Sequence, residues 1–400
     1  MSGDLGTAPR VGDSQRGFPR SRGRQRSGSC RYLALIDQPE RQSSARRDIV
    51  RPVTSATRIR VAVIGAGLMG RWHAYAAVRS GARVTAVVDS DQSQADRLAA
   101  RYPGCRAISD LATALELSDV VHVFTPTETH VPLARAALTA GKHAVVEKPL
   151  ASSATDTAAL LSLAASHGVF VCPVHQLVFT DGVRRAHTSM QRIGPVRHVG
   201  FVVCSAGAAG AGPGAPGRVA LEVLPHPLSI IARLFPDALG HAAWSVRHPA
   251  PGEIRVLGQA GDLTVSIVVS MSARPTKNTM EILGVRGAVY VDLFHGFAVR
   301  SSGNVSRARK IAQPFLHGAG HIGVAAANLA LRIVRREPAY PGLVPLLRAF
   351  YAAVASGGAH PIAPSETLAV ACASDELMAL VSGVRTSLRT EGDDAPVWRG

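Results

Sequence analysis

Lysine is scarce in this chain. Of 44 basic residues 40 are arginine, and only Lys142, Lys148, Lys277 and Lys310 are lysine, so a lysine at a special place is not there by composition alone. Long apolar runs are also missing. No stretch reaches the roughly 18 residues needed to span a bilayer, and the first 58 residues lack the apolar core of a signal peptide. The expectation is a protein without a membrane anchor, placed in the cytoplasm. Cysteines are few and scattered: Cys30, Cys105, Cys172, Cys204 and Cys372 form no CxxC pair, which suits reduced thiols and offers no metal site.

Acidic residues are outnumbered, and the formal net charge is +16. Much of that excess sits at one end: residues 1–58 hold 12 Arg against 5 acidic residues, a net of +7. The same segment is rich in Ser, Gly and Pro and has no sustained apolar period, so residues 1–57 are expected to be a disordered basic tail. Such an arm can touch phosphates, but it lacks aromatic interleaving and any nucleic-acid motif, and nucleic acid is not expected as a partner.

With 400 residues and 46% hydrophobic content, the chain can bury the cores of two domains. From Ile59 short β-branched runs alternate with Ala- and Leu-rich segments of helical spacing, the pattern of βαβ units around a parallel sheet. Runs 59–64, 83–88, 120–124, 143–147 and 169–173 read as strands, with helices over 69–80, 93–102, 131–140 and 154–167. Gly81, Gly141 and Gly168 stand where left-handed caps would close three of these helices. Beyond about residue 175 the stretches 196–204, 253–271 and 280–293 are longer and β-rich, which predicts a mostly antiparallel or mixed sheet, with closing helices over 343–355 and 365–381. Ser205–Gly217 is nearly all Gly, Ala and Pro and reads as a flexible loop before His226. The fold class expected is α/β: a doubly wound Rossmann domain over 58–174, then an α/β domain with an open, mostly antiparallel sheet over 175–390.

Gly65-Ala66-Gly67-Leu68-Met69-Gly70 follows a predicted strand and opens a predicted helix. In that position the first glycine permits the tight turn, the second lets backbone approach a pyrophosphate, and the third allows close helix–strand packing. The helix N-terminus then offers free N–H groups to phosphate. Asp89 ends the second strand, where a carboxylate would bond ribose hydroxyls and repel a 2′-phosphate, favouring NAD. Arg71 and Ser90 are near enough to keep NADP open.

Glu147-Lys148-Pro149-Leu150 puts one of the four lysines at the end of a strand in this domain. Among basic side chains, lysine loses its proton when buried or crowded by charge, whereas guanidinium stays charged. Taken in order, the glycine loop with Arg71-Trp72-His73, Phe124-Thr125-Pro126 with Thr129-His130, Gly141-Lys142-His143 before Glu147–Leu150, and Arg348–Tyr351 with His360-Pro361 resemble the Gfo/Idh/MocA oxidoreductases over about residues 58–385. The resemblance implies a Rossmann domain carrying NAD (NADP possible) and a second domain whose open sheet faces the nicotinamide and often mediates homo-oligomers. It implies that Lys148, Glu222 and His226 match the catalytic lysine and the downstream acidic–histidine pair, and that the Lys148–Pro149 bond is often cis. Here Glu222 replaces the usual Asp, Ser229 a further Asp, Leu224 a Gly, and His175-Gln176 a frequent His-Asn pair.

Oxidising a secondary alcohol needs a base within reach of the hydroxyl, and His226 is the natural one, because an imidazole titrates near working pH. Lys148 would hold the oxygen, and Glu222, four residues before His226, would share its face if the segment is helical. The roles of Lys148 and His226 exchange equally well on sequence grounds. Thr125, Pro126, His130 and Glu147, at the carboxyl edge, are expected beside the cofactor with Gly65, Gly67, Leu68, Met69, Gly70, Asp89 and Lys148, while His175, Gln176 and Ser229 are expected to face substrate. The activity expected is hydride transfer between nicotinamide and a secondary alcohol or ketone of a sugar, sugar nucleotide or cyclitol. A glycoside-cleaving enzyme using NAD transiently and a non-catalytic dinucleotide sensor are the alternatives.

Overall fold

The computed structural model describes residues 58–391 apart from 208–211, 213, 304–305 and 338. The expected tail over 1–57 and the middle of the loop at 205–217 lie outside the described residues. The first sheet contains β1 (Arg60–Ile64), β2 (Arg83–Val88), β3 (Arg106–Ile108), β4 (Val120–Val123), β5 (His143–Val146) and β6 (Val171–Pro173). All pair in parallel, in the order β3-β2-β1-β4-β5-β6. Val61, Ala62, Val63, Val120, Val121 and Val145 are fully buried, as strands covered on both faces require. The connecting helices are α1 (Leu68–Arg79), α2 (Gln92–Ala99), α3 (Leu111–Glu116), α4 (His130–Thr139) and α5 (Ala154–Ser166). Gly81, Gly141 and Gly168 all have positive φ, the caps expected of them. β3 and α3 escaped sequence reading because three and six residues are too few to show a period. The strand order reverses between β1 and β4, which opens a crevice at the carboxyl edge.

The second part begins with α6 (Asp181–Ile193) and β7 (Val196–Cys204), followed by α7 (Ala215–Val223), α8 (Pro225–Leu234) and α9 (Ala238–His241). Six more strands complete its sheet: β8 (Ala243–Ala250), β9 (Glu253–Ala260), β10 (Leu263–Ser270), β11 (Lys277–Gly284), β12 (Gly287–Asp292) and β13 (Phe297–Ser302). Their order is β13-β12-β11-β7-β10-β9-β8, with β7 and β10 parallel and every other pair antiparallel. The run 253–271, read as one stretch, is a hairpin that turns at Gly261, where φ is +56°. The run 280–293 likewise divides into β11 and β12. The loop read as Ser205–Gly217 ends sooner, because Gly214 takes φ +85° and caps α7, which contains Gly217.

Three helices close the chain: α10 (Arg307–Val334), α11 (Leu343–Ser356) and α12 (Pro364–Glu391). Leu346, Leu347 and Phe350 of α11 are fully buried in the same core as Val61 and Val63, so the range 175–390 returns to the first sheet near its end. The expectation of reduced thiols is corrected at Cys372, which is disulfide-bonded, while Cys105, Cys172 and Cys204 are free. Cysteine spacing bears on metal ligation and says little about distant pairing. No described helix is long and apolar enough to cross a membrane.

The α11 contact encloses polar groups. The Tyr351 hydroxyl lies 3.0 Å from His122 Nε2, and His73 stacks on Phe124 with ring centroids 3.7 Å apart. Burial pushes His122 down to about 3 and His73 well below the ordinary range. Both are neutral when folded but take protons once unfolded. Their contribution to stability is therefore complete above about pH 6.5 and is lost as pH falls below it, because the unfolded chain binds more protons there. The melting temperature should fall between neutral pH and pH about 4, and a flat profile would contradict the assignment. Tyr351→Phe, which leaves His122 Nε2 unpaired, should cost about 1–3 kcal/mol in denaturant unfolding.

Candidate active site

The glycine loop after β1 is shaped by close contacts. A Cβ on Gly65, where φ is +98°, would lie 2.5 Å from the Phe124 carbonyl oxygen, and one on Gly70 would lie 1.8 Å from the Gly65 carbonyl oxygen. Both positions exclude a side chain for reasons internal to the fold. Gly67 differs: a Cβ there meets nothing within 4 Å. The space over Gly67 is open, and α1 starts there without a side-chain cap. Its first N–H groups, at Leu68, Met69 and Gly70, have no intrahelical partner and suit a pyrophosphate. The cradle thus fits a dinucleotide, with Leu68 exposed at its mouth.

Asp89 is tied to this loop. One carboxylate oxygen accepts the Ala66 N–H at 2.6 Å and the other the Asp91 N–H at 2.9 Å. The group therefore holds the loop to the end of β2. Each oxygen keeps a second lone pair, so ribose hydroxyls remain acceptable partners.

His130 corrects an expectation. Its ring is buried, with Nδ1 2.8 Å from the Pro149 carbonyl oxygen and Nε2 2.9 Å from the Thr125 carbonyl oxygen. Both ring nitrogens face backbone carbonyl oxygens, and the single N–H of a neutral ring donates to one of them, so His130 is packed between the loop after β4 and the loop after β5 and its nitrogens are not turned toward the cofactor cradle. Thr125 and Thr129 share a hydroxyl contact of 2.5 Å, and Thr129 donates to the Pro126 carbonyl oxygen at 2.7 Å. Thr125 and Pro126 thus line a braced turn at the edge of β4.

The bridged loop carries the lysine. The Lys148–Pro149 peptide is cis. Glu147 accepts the Lys148 N–H at 2.6 Å, and burial raises its pKa while Lys148 opposes the rise. The Lys148 Nζ donates to the Glu222 carbonyl oxygen at 3.1 Å. That oxygen belongs to the last turn of α7, where carbonyls lack helical partners and favour a cation. The predicted single helix through Glu222 and His226 is broken between them: α7 ends at Val223, and Pro225 starts α8. Glu222 meets Lys148 through its backbone, while its exposed carboxylate has no partner among the described residues and does not orient His226.

His226 has a buried Nδ1 without a hydrogen-bond partner. Burial lowers its pKa well below the ordinary range, and Lys148 and His175 press it further down. His175 is buried and held near 3 by burial, with Lys148 and Arg233 adding to the shift. Lys148, His175 and His226 therefore share one electrostatic neighbourhood. Gln176 presents a buried, unpartnered Oε1 next to His175. Ser229 is corrected: its buried hydroxyl donates to the His226 carbonyl oxygen at 2.8 Å, a bond within its own helix, and does not face a substrate.

Beside this cluster lies a cavity of about 250 Å³ between the loop after β5, the α7–α8 junction and α12. His175, Pro149 and Glu222 line one side, while Glu128, Ser153 and Asp375 come from elsewhere. Lys148, His226 and the glycine loop do not line it, so it adjoins the reacting groups and is not the dinucleotide cleft. Sequence reading missed Glu128 and Asp375. Glu128 follows Thr125-Pro126 and was within reach of the motif; Asp375 lies on α12 and carried no signal.

Residues 59–175 match the model of an oxidoreductase family with an NAD-binding Rossmann fold, Gfo/Idh/MocA. Residues 59–175 are thus similar to the NAD-binding domain of the Gfo/Idh/MocA family. UDP-N-acetylglucosamine 3-dehydrogenase of Acidithiobacillus ferrooxidans is 32% identical over 145 residues, 36% of this chain and 42% of that protein. Its solved structure has a TM-score of 0.64 at 17% identity, covering 82% of this chain and 99% of that one. Inositol 2-dehydrogenase 4 of Saccharopolyspora erythraea is 44% identical over 100 residues, 24% of this chain and 30% of that protein. GenD2 from gentamicin A biosynthesis, solved in complex with NAD, has a TM-score of 0.63 at 24% identity, covering 83% of this chain and 97% of that one. The sequence alignments span less than half the length of these relatives, and at such identities the structural likeness shows the two-part fold alone.

The glycine contacts separate packing from binding in this domain. Gly67→Ala should keep the melting temperature yet weaken NAD binding by tenfold or more, about 1.4 kcal/mol, read by calorimetry. Gly70→Ala should unfold or strongly destabilise the chain. Equal effects of the two substitutions would contradict the roles assigned.

Proposed function

We propose that the chain is an NAD(P)-dependent oxidoreductase that interconverts a secondary alcohol and a ketone on a sugar, sugar nucleotide or cyclitol. The observation that carries this reading is the grouping of Lys148, on the loop that His130 touches after β5, with His175 after β6 and His226 at the start of α8. Bound nicotinamide would supply the hydride acceptor or donor. The neutral imidazole of His226, its Nδ1 unpartnered, takes the hydroxyl proton. Lys148, steered by the Glu222 carbonyl, stabilises charge on the same oxygen. Asp89 at the ribose position supports NAD as the carrier.

The adjoining cavity bears on substrate. Among the described residues, its lining holds Glu128, Glu222 and Asp375 and neither arginine nor lysine. A diphosphate seeks cations and backbone N–H groups, so this lining supports an unphosphorylated sugar or cyclitol over a sugar nucleotide.

Nicotinamide absorbance should change with NAD and a member of a sugar and cyclitol panel. Lys148→Met should lower kcat by about 10²–10³ with NAD affinity retained, and His226→Asn by about 10²–10⁴. In the oxidation direction kcat/KM should stay flat through the ordinary histidine pKa of about 6.5 and fall only well below it, because His226 must be neutral and its pKa is depressed. Full activity in Lys148→Met would sink the assignment. Tight NAD binding without turnover on any polyol would favour a dinucleotide sensor.

A further inference from the structure

The helix α10 (Arg307–Val334) is turned inside out relative to an ordinary surface helix. Its polar side chains face the second sheet: His317 Nε2 lies 2.6 Å from Ser301 Oγ, the His321 ring packs 4.9 Å from that of Tyr290, and Asn328 Nδ2 donates to the His295 carbonyl oxygen at 3.0 Å. Its large apolar side chains point to solvent. Ile311, Phe315, Ile322, Leu329 and Ile333 range from 60% exposed at Leu329 to 79% at Phe315. At about 100° per residue these five fall within an arc of roughly 40°, a stripe about 33 Å long. Leu316 and Val334 are also exposed, about 120° around the helix from Ile322 and outside this stripe. Surface helices bury such a stripe, and apolar patches of this extent mark interaction sites.

The order of residues along the stripe says what covers it. Ile322 is at its centre; Phe315 and Leu329 stand seven residues to either side, and Ile311 and Ile333 eleven. Gly318 and Ala326 stand four to either side, and Ala319 and Ala325 three. Reversing the helix about Ile322 thus lays large apolar on large apolar and small on small. That is the self-complementarity demanded by a two-fold axis crossing an antiparallel helix pair. Cβ atoms built on Gly318 and Gly323 meet nothing within 4 Å, leaving room for incoming side chains. Two copies of the stripe remove on the order of 1,000 Å² from water, the size at which specific interfaces begin.

We propose that α10 is the dimer interface of this protein: it packs antiparallel on α10 of a second copy, with the two-fold axis at Ile322. Residues 307–336 hold Arg or Lys at 307, 309, 310, 332, 335 and 336 and no acidic residue, so the antiparallel pair brings basic ends together. Salt screens that repulsion, and the dimer tightens as salt rises. Attraction of the same helix to an anionic membrane would weaken with salt.

The test is sedimentation velocity on the full chain, with Ile322→Lys as the variant. The parent should be a dimer that grows more stable with salt, and Ile322→Lys, which sets two ammonium groups face to face, should be monomeric with unchanged circular dichroism. Cysteine variants fix the geometry: Ile322→Cys should cross-link to itself on oxidation. Phe315→Cys and Leu329→Cys should cross-link when mixed and not alone, each compared with the parent. A monomeric parent, or a dimer indifferent to Ile322→Lys, would overturn the proposal. So would capture by phosphatidylglycerol vesicles with no dimer in solution, which assigns the stripe to a membrane. A dimer formed only after deleting residues 1–57 would assign it to that segment.

Discussion

A parallel sheet ends its strands in backbone groups that no neighbouring strand pairs, and the site is built from the side chains that pair them. His130 lies between carbonyls of two loops and donates to one of them, Asp89 takes two N–H groups beside the glycine turn, and Glu147 takes the Lys148 N–H. Because buried backbone polar groups are rarely left unpaired, these bonds fix where the loops after β1, β4 and β5 stand. The lysine is positioned as a consequence. Its own Nζ then satisfies a carbonyl at the end of α7 and so reaches across to the second part of the chain.

The proline pair around His226 extends this logic. Pro225 and Pro227 carry no N–H, so the segment cannot run on as one regular helix from α7. The break exposes the terminal carbonyls of α7 to Lys148 and sets His226 in the first turn of a new helix. Without partners for its Nδ1, and beside Lys148 and His175, the imidazole is kept neutral. Burial, which penalises the charged form, is the largest cause for both histidines.

Much of the first sheet was legible because its signals are local. The glycine spacing, the β-branched runs and the three cap glycines act within a few residues of where they stand, and Gly65, Gly70, Gly81, Gly141 and Gly168 sit as read. The errors came where a residue has two local uses. Ser229 and His130 are types that bind ligands, yet both serve nearby backbone carbonyls. In the second part, hairpins at Gly261 and after Gly284 were hidden inside continuous apolar stretches, since alternation alone does not show where a strand reverses. α10 went unread because its Ala- and Gly-rich pattern spans Pro314 and is apolar on the wrong face.

By itself, the sequence determined the α/β class, the dinucleotide turn and the lysine at the end of β5, because glycine geometry and strand periodicity are short-range properties. The tertiary structure alone decided which groups share the site. It brought Lys148 to a carbonyl 74 residues away in the chain, placed Asp375 beside His175 around one cavity, and returned α11 to the core of the first sheet. It also turned the apolar stripe of α10 outward. Such placements follow from packing faces that are distant in sequence, and no local pattern encodes them.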